Sequence, residues 1–213
     1  MATASQSLFN MTVASDNAGG SQGLLMPKLQ YRFRVNFFNF GVNANTVELT
    51  KQVMDVSRPQ VQFDEVTIPI YNSTMYLAGK AKWQSLTLNL RDDASGQVAK
   101  LVGQQLQKQM DFVEQASAAT GQDYKFQMNI EVLDGGNGAL APVVLETWEL
   151  YGCFVQTANY DTLNYGNNDP VKIALTVRFD NAIQAPLASG VGASVGRAFG
   201  GSSVTGIGTT GQA

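Results

Sequence analysis

Two adjacent acidic pairs are the residues of this sequence that most resemble a chemical site. Asp64-Glu65 and Asp92-Asp93 each place two carboxylates side by side, and paired carboxylates can bind a divalent cation or share acid–base work. Neighbouring residues of a strand point to opposite faces, which counts against Asp64 and Glu65 acting together. Asp92, Asp93 and Ser95 lie between a strand pattern and a helix pattern, where such side chains cap helices. We therefore predict that these three are helix N-cap residues, and we predict no catalytic or metal site.

Nucleophilic and cofactor chemistry find equally little support. The chain contains no histidine, so it lacks both the usual activating base for serine or cysteine and the commonest transition-metal ligand. Cys153 is the single cysteine, which excludes an intrachain disulfide, and its apolar neighbours Phe154 and Val155 predict a buried thiol. The glycines of GVGASVG (190–196) lack the G-x-G-x-x-G spacing of a dinucleotide loop, and no strand pattern precedes them. We predict no cofactor and no enzymatic activity.

The composition suggests a protein that contacts other protein. Its 213 residues suit one domain with arms, and 44% hydrophobic residues are enough for a sizeable core. Charged residues make up 15%, below the usual ~25%, so much of the surface need not face water. The formal charge of −3 and the lack of a long basic run argue against tight binding of duplex nucleic acid.

Both ends of the sequence differ in composition from its middle. Residues 1–26 are mostly small and polar without a clear period, and residues 185–213 are dominated by Gly, Ser, Ala, Thr and Val. Such segments are typical of arms, so we predict a folded domain over 27–184 between an N-terminal and a C-terminal arm. The N-terminal arm lacks a basic start and a long apolar stretch, and no run approaches ~20 apolar residues. We expect a protein made in the cytoplasm without a membrane partner.

Alternation of apolar and polar residues predicts strands through most of the domain. Period two with one apolar face is typical of a half-buried strand. Four segments show it clearly: YRFRVNFF (31–38), SLTLNLR (85–91), KFQMNIEV (125–132) and VKIALTVRFD (171–180). Further strands are expected over 46–56, 60–66 and 144–157, and the glycine-rich 134–138 is expected to form a turn.

One segment has helical rather than strand periodicity. From Ser95 to Ala119 apolar residues recur at steps of three and four with Gln and Lys between them, which predicts one amphipathic helix ended by Gly121. The apolar positions are Val98, Leu101, Val102, Leu106, Met110 and Val113. The predicted fold class is therefore mainly β: a single-domain barrel or sandwich of about seven strands, one flanking helix and extended terminal arms.

The segment from Asp55 to Asp93 resembles the tail tube proteins of contractile-tailed phages of the T-even-like type. In that family a strand ends near a proline, and an isoleucine-rich extended segment follows. A glycine, an aromatic residue and an alternating strand with acidic residues at its end come next. The matching positions here are Arg58-Pro59, Val66 to Tyr71, Gly79, Trp83, Leu86 to Leu90 and Asp92-Asp93. The ending KIALTVRFDNAIQ (172–184) is similar to the family's final strand, so the resemblance covers residues 29–184.

The resemblance implies a structural role. Subunits of this family form hexameric rings whose strands join into a continuous inner barrel, and the rings stack head-to-tail into a hollow tube. It implies a sheath protein outside the tube, baseplate and terminator proteins at its ends, and DNA passing through the lumen without specific binding. The implied location is the tail of the virion, assembled in the host cytoplasm. Because a conduit should not hold phosphates, we expect the cations Arg32, Arg34, Lys172 and Arg178 to point away from the channel.

The contact between rings is predicted in the extended segment 67–82. Apolar and aromatic residues stand there among turn formers, with little alternation that would bury them within one subunit. The predicted contact residues are Ile68, Ile70, Tyr71, Met75, Tyr76 and Leu77. The alternative is an ordinary long hairpin folded onto its own domain.

Two further functions remain open at the level of sequence. A tube initiator of the baseplate, or the tube protein of a secretion machine, would share the fold and the resemblance. A monomeric β-barrel binding module would instead hold a small apolar ligand in a cavity lined by Trp83, Trp148 and Phe154. Assembly into rings distinguishes the first group from the second.

Overall fold

The computed structural model describes residues 28–42, 46–134, 142–166, 168–185, 191, 197–199 and 202–204. In chain order its elements are β1 (Phe33–Phe38), α1 (Val47–Lys51), β2 (Val53–Val56), β3 (Val61–Ile70), β4 (Ser73–Trp83), β5 (Leu86–Arg91), α2 (Gln97–Gln109), β6 (Met110–Asp111), β7 (Ala116–Ser117), α3 (Gly121–Tyr124), β8 (Phe126–Leu133), β9 (Val144–Tyr160), β10 (Lys172–Arg178), β11 (Asn181–Ala185), β12 (Arg197–Phe199) and β13 (Ser202–Val204). The predicted mainly β class is confirmed.

Seven strands form the main sheet. Its order is β1-β8-β9-β10-β5-β2, with β11 also paired to β9, and every pairing is antiparallel. The 17-residue β9 belongs to both halves, because its first part pairs with β8 and β11 and its second part with β10. The sheet does not close into a barrel. Of the two architectures expected from the sequence, the sandwich-like one is found.

The core lies between the two halves of this sheet. One cluster of buried side chains contains Val35 and Phe37 from β1, Leu88 from β5 and Leu175 from β10. Phe40 lies beside them, with its ring centroid 4.9 Å from that of Phe126 in an edge-on contact. The four alternating segments of the sequence bury most of the side chains that alternation predicts. The exceptions are Tyr31 and Val171, which lie just outside β1 and β10 and are exposed, and Phe33, which is partly buried.

The predicted helix over 95–119 is too long. It ends at Gln109, and Met110 takes an extended conformation (φ −153°, ψ 129°) that starts the short hairpin β6–β7. The carboxylate of Asp111 accepts hydrogen bonds from the backbone N–H groups of Val113 (2.9 Å) and Glu114 (3.3 Å). Such a local side-chain contact competes with helical hydrogen bonding, so the chain turns although Val113 continues the helical period.

The predicted strand over 46–56 is also wrong in its first half. Residues 47–51 form the short helix α1, and only β2 is extended. The hydroxyl of Thr46 donates to the carbonyl of Phe37 (2.8 Å), and Leu49 is buried in the core. One buried apolar residue in a single turn leaves no period for a sequence pattern to detect.

Other expectations fall outside the described residues. These are the N-terminal arm 1–26, most of the turn 134–138, the segment 192–196 of the glycine-rich tail and most of the C-terminal arm. Within residues 185–213, Ala185 ends β11, and β12 pairs with β13. The division into a domain over 27–184 and two arms stays a prediction.

Candidate assembly surface

A two-stranded ribbon leaves one end of the main sheet. In the main sheet β2 pairs with β5. Beyond the edge of the sheet a hydrogen bond from Gln84 N to Gln60 O (2.8 Å) joins the same two chain segments, which then continue as the paired strands β3 and β4. Within the described residues β3 and β4 pair with each other and with no other strand. At ~3.3 Å per residue, a ten-residue strand gives this ribbon a length of roughly 33 Å. A hairpin of two strands alone is marginally stable in water, so a ribbon of this length is expected to find a further packing partner.

The pairing of β3 with β4 gives the outer part of the ribbon, residues 66–78, two different faces. Val66 is opposite Leu77 and Ile68 is opposite Met75, while Ile70 continues the same face near the turn. Side chains of directly opposite residues lie on one face, so these five form a single apolar patch. Each is 38 to 47% exposed. The other face carries Thr67 opposite Tyr76 and Pro69 opposite Thr74, which makes it mixed in character.

A charged boundary ends the apolar patch toward the sheet. Asp64 and Lys82 form an ion pair there (Nζ–Oδ2 2.7 Å) at a β-bulge in the ribbon. Gly79 belongs to the bulge, and a Cβ at that position would lie 2.9 Å from the carbonyl oxygen of Asp64. Beyond this point residues 66–78 contain no charged side chain. The outer ribbon is therefore a surface that can be covered without desolvating a charge.

The six predicted contact residues separate into three places. Ile68, Ile70, Met75 and Leu77 lie together on the apolar face, which we call the ribbon face and define as these four with Val66. Tyr76 lies on the opposite face, and Tyr71 lies in the turn at the tip. Sequence reasoning missed Val66 because its inclusion depends on the pairing with Leu77, and pairing register is not visible in one strand's pattern. The ribbon is a long hairpin, as in the alternative considered, but both of its faces remain exposed.

The predicted helix caps lie just ahead of α2. The structure places Gly96 (φ +64°) at the N-cap position, one to four residues after Ser95, Asp93 and Asp92. Asp93 still reaches the helix, because its Oδ1 accepts a hydrogen bond from the N–H of Gln97 (3.1 Å) and its Oδ2 accepts one from the hydroxyl of Ser95 (2.5 Å). The hydrogen bond from Ser95, with those from backbone N–H groups, lowers the pKa of the Asp93 carboxyl.

The described part of the chain shows neither a cluster of metal ligands nor a reactive cysteine. There is no cluster of three or more metal-ligating side chains among these residues. Cys153 is fully buried, as predicted, and burial raises the pKa of its thiol to about 12, so it is not a thiolate nucleophile at neutral pH. No helix in the described ranges is long and apolar enough to cross a membrane.

Glu146 is a buried carboxylate that joins three parts of the chain. Its Oε1 accepts hydrogen bonds from Trp148 Nε1 (2.7 Å) and Gln184 Nε2 (2.9 Å), and its Oε2 forms an ion pair with Lys28. Burial raises the pKa of Glu146, but the donors Lys28 and Trp148 and the charges of Lys28 and Arg58 outweigh this effect. The pKa consequently lies below its ordinary value. The group ties Lys28, where the described chain begins, to β9 and β11.

This network predicts a stability that falls in acid. Because the pKa of Glu146 is lower in the folded chain than in the unfolded chain, its contribution is present above the ordinary pKa of ~4.3 and is lost as the pH falls through the folded value. Replacing Lys28→Met should lower the free energy of unfolding by about 1–3 kcal/mol at pH 7 and flatten its fall below pH 5. Urea unfolding at pH 7 and pH 3.5 measures both effects. The control Lys82→Met breaks a half-exposed pair and should change stability by less than about 1 kcal/mol. An unchanged acid slope in Lys28→Met would contradict the assignment.

Comparisons with solved structures find the same fold in contractile injection particles. A chain of the anti-feeding prophage baseplate aligns with a TM-score of 0.54 at 18% identity, over 76% of this chain and 97% of the other. A chain of the sheath-tube complex of the PVC extracellular contractile injection system, in its extended state, has a TM-score of 0.54 at 15% identity over 76% and 93%. A chain of the PVC sheath/tube terminator has 0.52 at 15% over 76% and 99%.

The chain shares its fold with these components of contractile injection particles. At these identities the likeness concerns fold alone, and it confirms at that level the resemblance based on segments 55–93 and 172–184. The sequence itself matches no protein-family model and no curated protein. The three neighbours belong to baseplate, sheath-tube and terminator assemblies.

Proposed function

We propose that this chain is a non-enzymatic structural subunit of a contractile phage tail tube. Six copies form a ring, and rings stack head-to-tail into a hollow conduit through which DNA passes during ejection. The observation that carries the proposal is the ribbon. It extends beyond its own domain, it is uncharged over residues 66–78, and it presents the apolar ribbon face to solvent in a fold shared with contractile-tail components.

Contact between copies accounts for these features together. A continuous apolar face on a two-stranded sheet is stable when a second surface covers it, and soluble monomers rarely keep such a patch exposed. A neighbouring copy in the tube is the occupant we propose. The sheath outside, and the baseplate and terminator at the two ends, complete the set of proposed partners, and the location is the virion tail after assembly in the host cytoplasm.

We propose that the lumen is free of strong cationic sites. Arg34 forms an ion pair with Glu131 on β8 (Nη2–Oε2 2.5 Å), and Arg32 donates to the carbonyl of Asp134 and lies over the ring of Tyr31. Glu131 thus neutralises Arg34, and the contacts with Asp134 and Tyr31 hold Arg32 within its own subunit. We propose that Arg32, Arg34, Lys172 and Arg178 all point away from the bore, because a cationic bore would retain phosphates.

A tube initiator or a secretion-system tube protein is the second candidate, because it shares the fold. The ligand-binding module is disfavoured by packing. Trp83 packs against Phe179 (centroids 5.6 Å apart) and Phe154 against Tyr124 (6.4 Å). The indole of Trp148 donates to Glu146. Each of the three aromatic residues expected to line a ligand cavity therefore has its own partner in the fold.

Negative-stain electron microscopy across a range of subunit concentrations tests the proposal. Hollow tubes, or rings of six that stack as concentration rises, are the expected result. Single rings that never stack would favour the initiator. Monomers at every concentration, up to the solubility limit, would contradict a self-assembling tube subunit.

A further inference from the structure

A second exposed apolar feature lies at the opposite end of the sheet. Residues 161–171 connect β9 to β10, and Ile173 pairs with Tyr160 just inside this connection. The backbone N–H of Asp92, directly after β5, donates to the carbonyl of Val171 (3.0 Å). The connection thus lies at the end of β5 where Arg91 stands, whereas the ribbon leaves from the end where Leu86 stands. One subunit carries the ribbon tip and this connection at its two ends.

The connection forms a cleft whose lining is part apolar and part polar. Leu163 is 80% exposed and Tyr165 is fully exposed. The cleft has a volume of about 360 Å³, roughly ten times the ~30 Å³ that one water molecule occupies in the liquid, which is room for an aromatic ring. Its apolar lining consists of Leu163, Tyr165, Pro170 and Val171, and its polar lining of Asp161, Thr162, Asn164, Asp169 and Lys172.

The tip of the ribbon carries a large residue in a conformation that favours glycine. Tyr71 has φ +34° and a fully exposed side chain, and it occupies the first position of the two-residue turn between β3 and β4. Glycine is the usual residue for a positive φ in such a turn, and a bulky residue there costs about 1–3 kcal/mol. A tyrosine that is strained and solvated contributes little to the stability of its own subunit. Its position is explained if the ring has a binding site elsewhere.

We propose that Tyr71 at the ribbon tip of one copy inserts into the cleft lined by residues 161–165 and 169–172 of the next copy along the tube. This pairing rests on the proposed tube function and names the partner of the ribbon tip. Because Tyr71 and the cleft lie at opposite ends of the subunit, the contact is heterologous and repeats indefinitely, which is the geometry of a growing stack. Tyrosine combines a large apolar ring with a hydroxyl group, which suits a cleft of mixed lining, and buried aromatic anchors are typical of the residues that dominate binding energy. Residues 66–78 bring no charge into the contact, so the charges that it affects are those of the cleft itself, Asp161, Asp169 and Lys172.

Cysteine cross-linking under assembly conditions tests the pairing directly. We expect the double variant Tyr71→Cys/Leu163→Cys, oxidised with diamide, to give a ladder of covalent dimers, trimers and higher species on a non-reducing gel. Each single variant should give no ladder, and an equimolar mixture of the two should stop at dimers, since each chain then supplies one thiol. The native Cys153 does not compete, because it is fully buried and its thiol pKa is about 12. Dimers from Tyr71→Cys alone would show a tip-to-tip contact and overturn the pairing.

A pair of substitutions separates the ring of Tyr71 from its backbone. Tyr71→Gly suits the positive φ and should leave the hairpin at least as stable, yet it removes the inserted ring, so we expect the critical concentration for stacking to rise at least tenfold. Tyr71→Phe keeps the ring and should assemble like the parent chain. Equal stacking by Tyr71→Gly and the parent would overturn the insertion.

The results of these experiments distinguish failure of the Tyr71 pairing from failure of the proposed tube function. If the parent chain forms stacked tubes and the double-cysteine variant gives no ladder, the tube function stands and the pairing is wrong. If the parent chain forms neither rings nor tubes, the function is wrong and the pairing fails with it.

Discussion

Replacing Ile68→Asp is expected to stop tube growth and to leave the free subunit folded. Ile68 lies at the middle of the ribbon face, opposite Met75, and its side chain is 38% exposed in the single chain. A carboxylate there meets water in the monomer, so the fold loses little. In a stacked tube the same carboxylate is buried against apolar surface without a partner, which costs several kcal/mol. A penalty of about 3 kcal/mol at each contact raises the critical concentration on the order of 100-fold.

The adjacent residue supplies a matched control. Thr67 is also exposed, lies next to Ile68 in β3 and points to the opposite face, where its partner is Tyr76. Thr67→Asp therefore adds the same charge one residue farther from the tip. We expect it to stack within a few-fold of the parent chain, as measured by sedimentation and electron microscopy, with circular dichroism to verify that both variants fold. Normal stacking of Ile68→Asp would refute the ribbon face as a contact, and equal inhibition by both variants would show that the contact is not specific to one face.

The sequence predicted those parts of the structure in which one strand carries its own information. Alternation in 85–91 and 125–132 identified β5 and β8, because burial on one side of a strand leaves a period of two. The same reasoning located the ribbon, since residues 67–82 lacked alternation and none of them is buried in the structure. What it could not provide is the relation between strands. Val66 joins Ile68 on the ribbon face only through the register with β4, and register is a property of the pair.

Local side-chain chemistry accounts for most of the remaining differences. The carboxylate of Asp111 ends the helical run although the apolar period continues to Val113. The cleft at residues 161–171 also escaped sequence reasoning, because its apolar residues Leu163 and Tyr165 stand singly among polar neighbours and have no period. Singly placed apolar residues on a surface are ordinary, so only their position at the far end of the sheet from the ribbon gives them meaning.

Gly152 is the residue on which the dual role of β9 depends. It has φ +66° and lies at the β-bulge between the parts of β9 that pair with β8 at Leu150 and at Cys153. A Cβ at this position would lie 2.2 Å from Oδ2 and 3.1 Å from Cβ of Asp180, which pairs with Lys125 (2.5 Å). The bulge lets one strand change direction between the two halves of the sandwich. Any larger residue at 152 meets both a backbone penalty and a steric one.

Gly152→Ala is therefore expected to lower the free energy of unfolding by about 2–4 kcal/mol, of which roughly 1–2 kcal/mol is the cost of a positive φ and the rest is displacement of Asp180. Gly96 provides the control for the first contribution, because it has φ +64° but no atom within 4 Å of an added Cβ. Gly96→Ala should cost only the backbone part. In a chain that also carries Asp180→Ala, most of the difference between Gly152→Ala and Gly96→Ala should disappear, because that substitution deletes the two atoms nearest to the added Cβ. Loss of the exposed ion pair between Asp180 and Lys125 itself costs less than about 1 kcal/mol.

Urea unfolding of dilute subunits separates these contributions. The variants to compare are Gly96→Ala, Gly152→Ala and the double variant Gly152→Ala/Asp180→Ala. Equal losses in Gly96→Ala and Gly152→Ala would mean that Asp180 moves aside freely and that only the backbone conformation matters at the bulge. A loss in Gly152→Ala that exceeds the control and shrinks in the double variant would establish the contact with Asp180.

The bulge holds the two halves of the sheet in place, and the ribbon and the 161–171 cleft extend from opposite ends of its β10–β5–β2 half. A variant that loosens the bulge is therefore expected to weaken stacking as well, even though residue 152 touches neither contact surface.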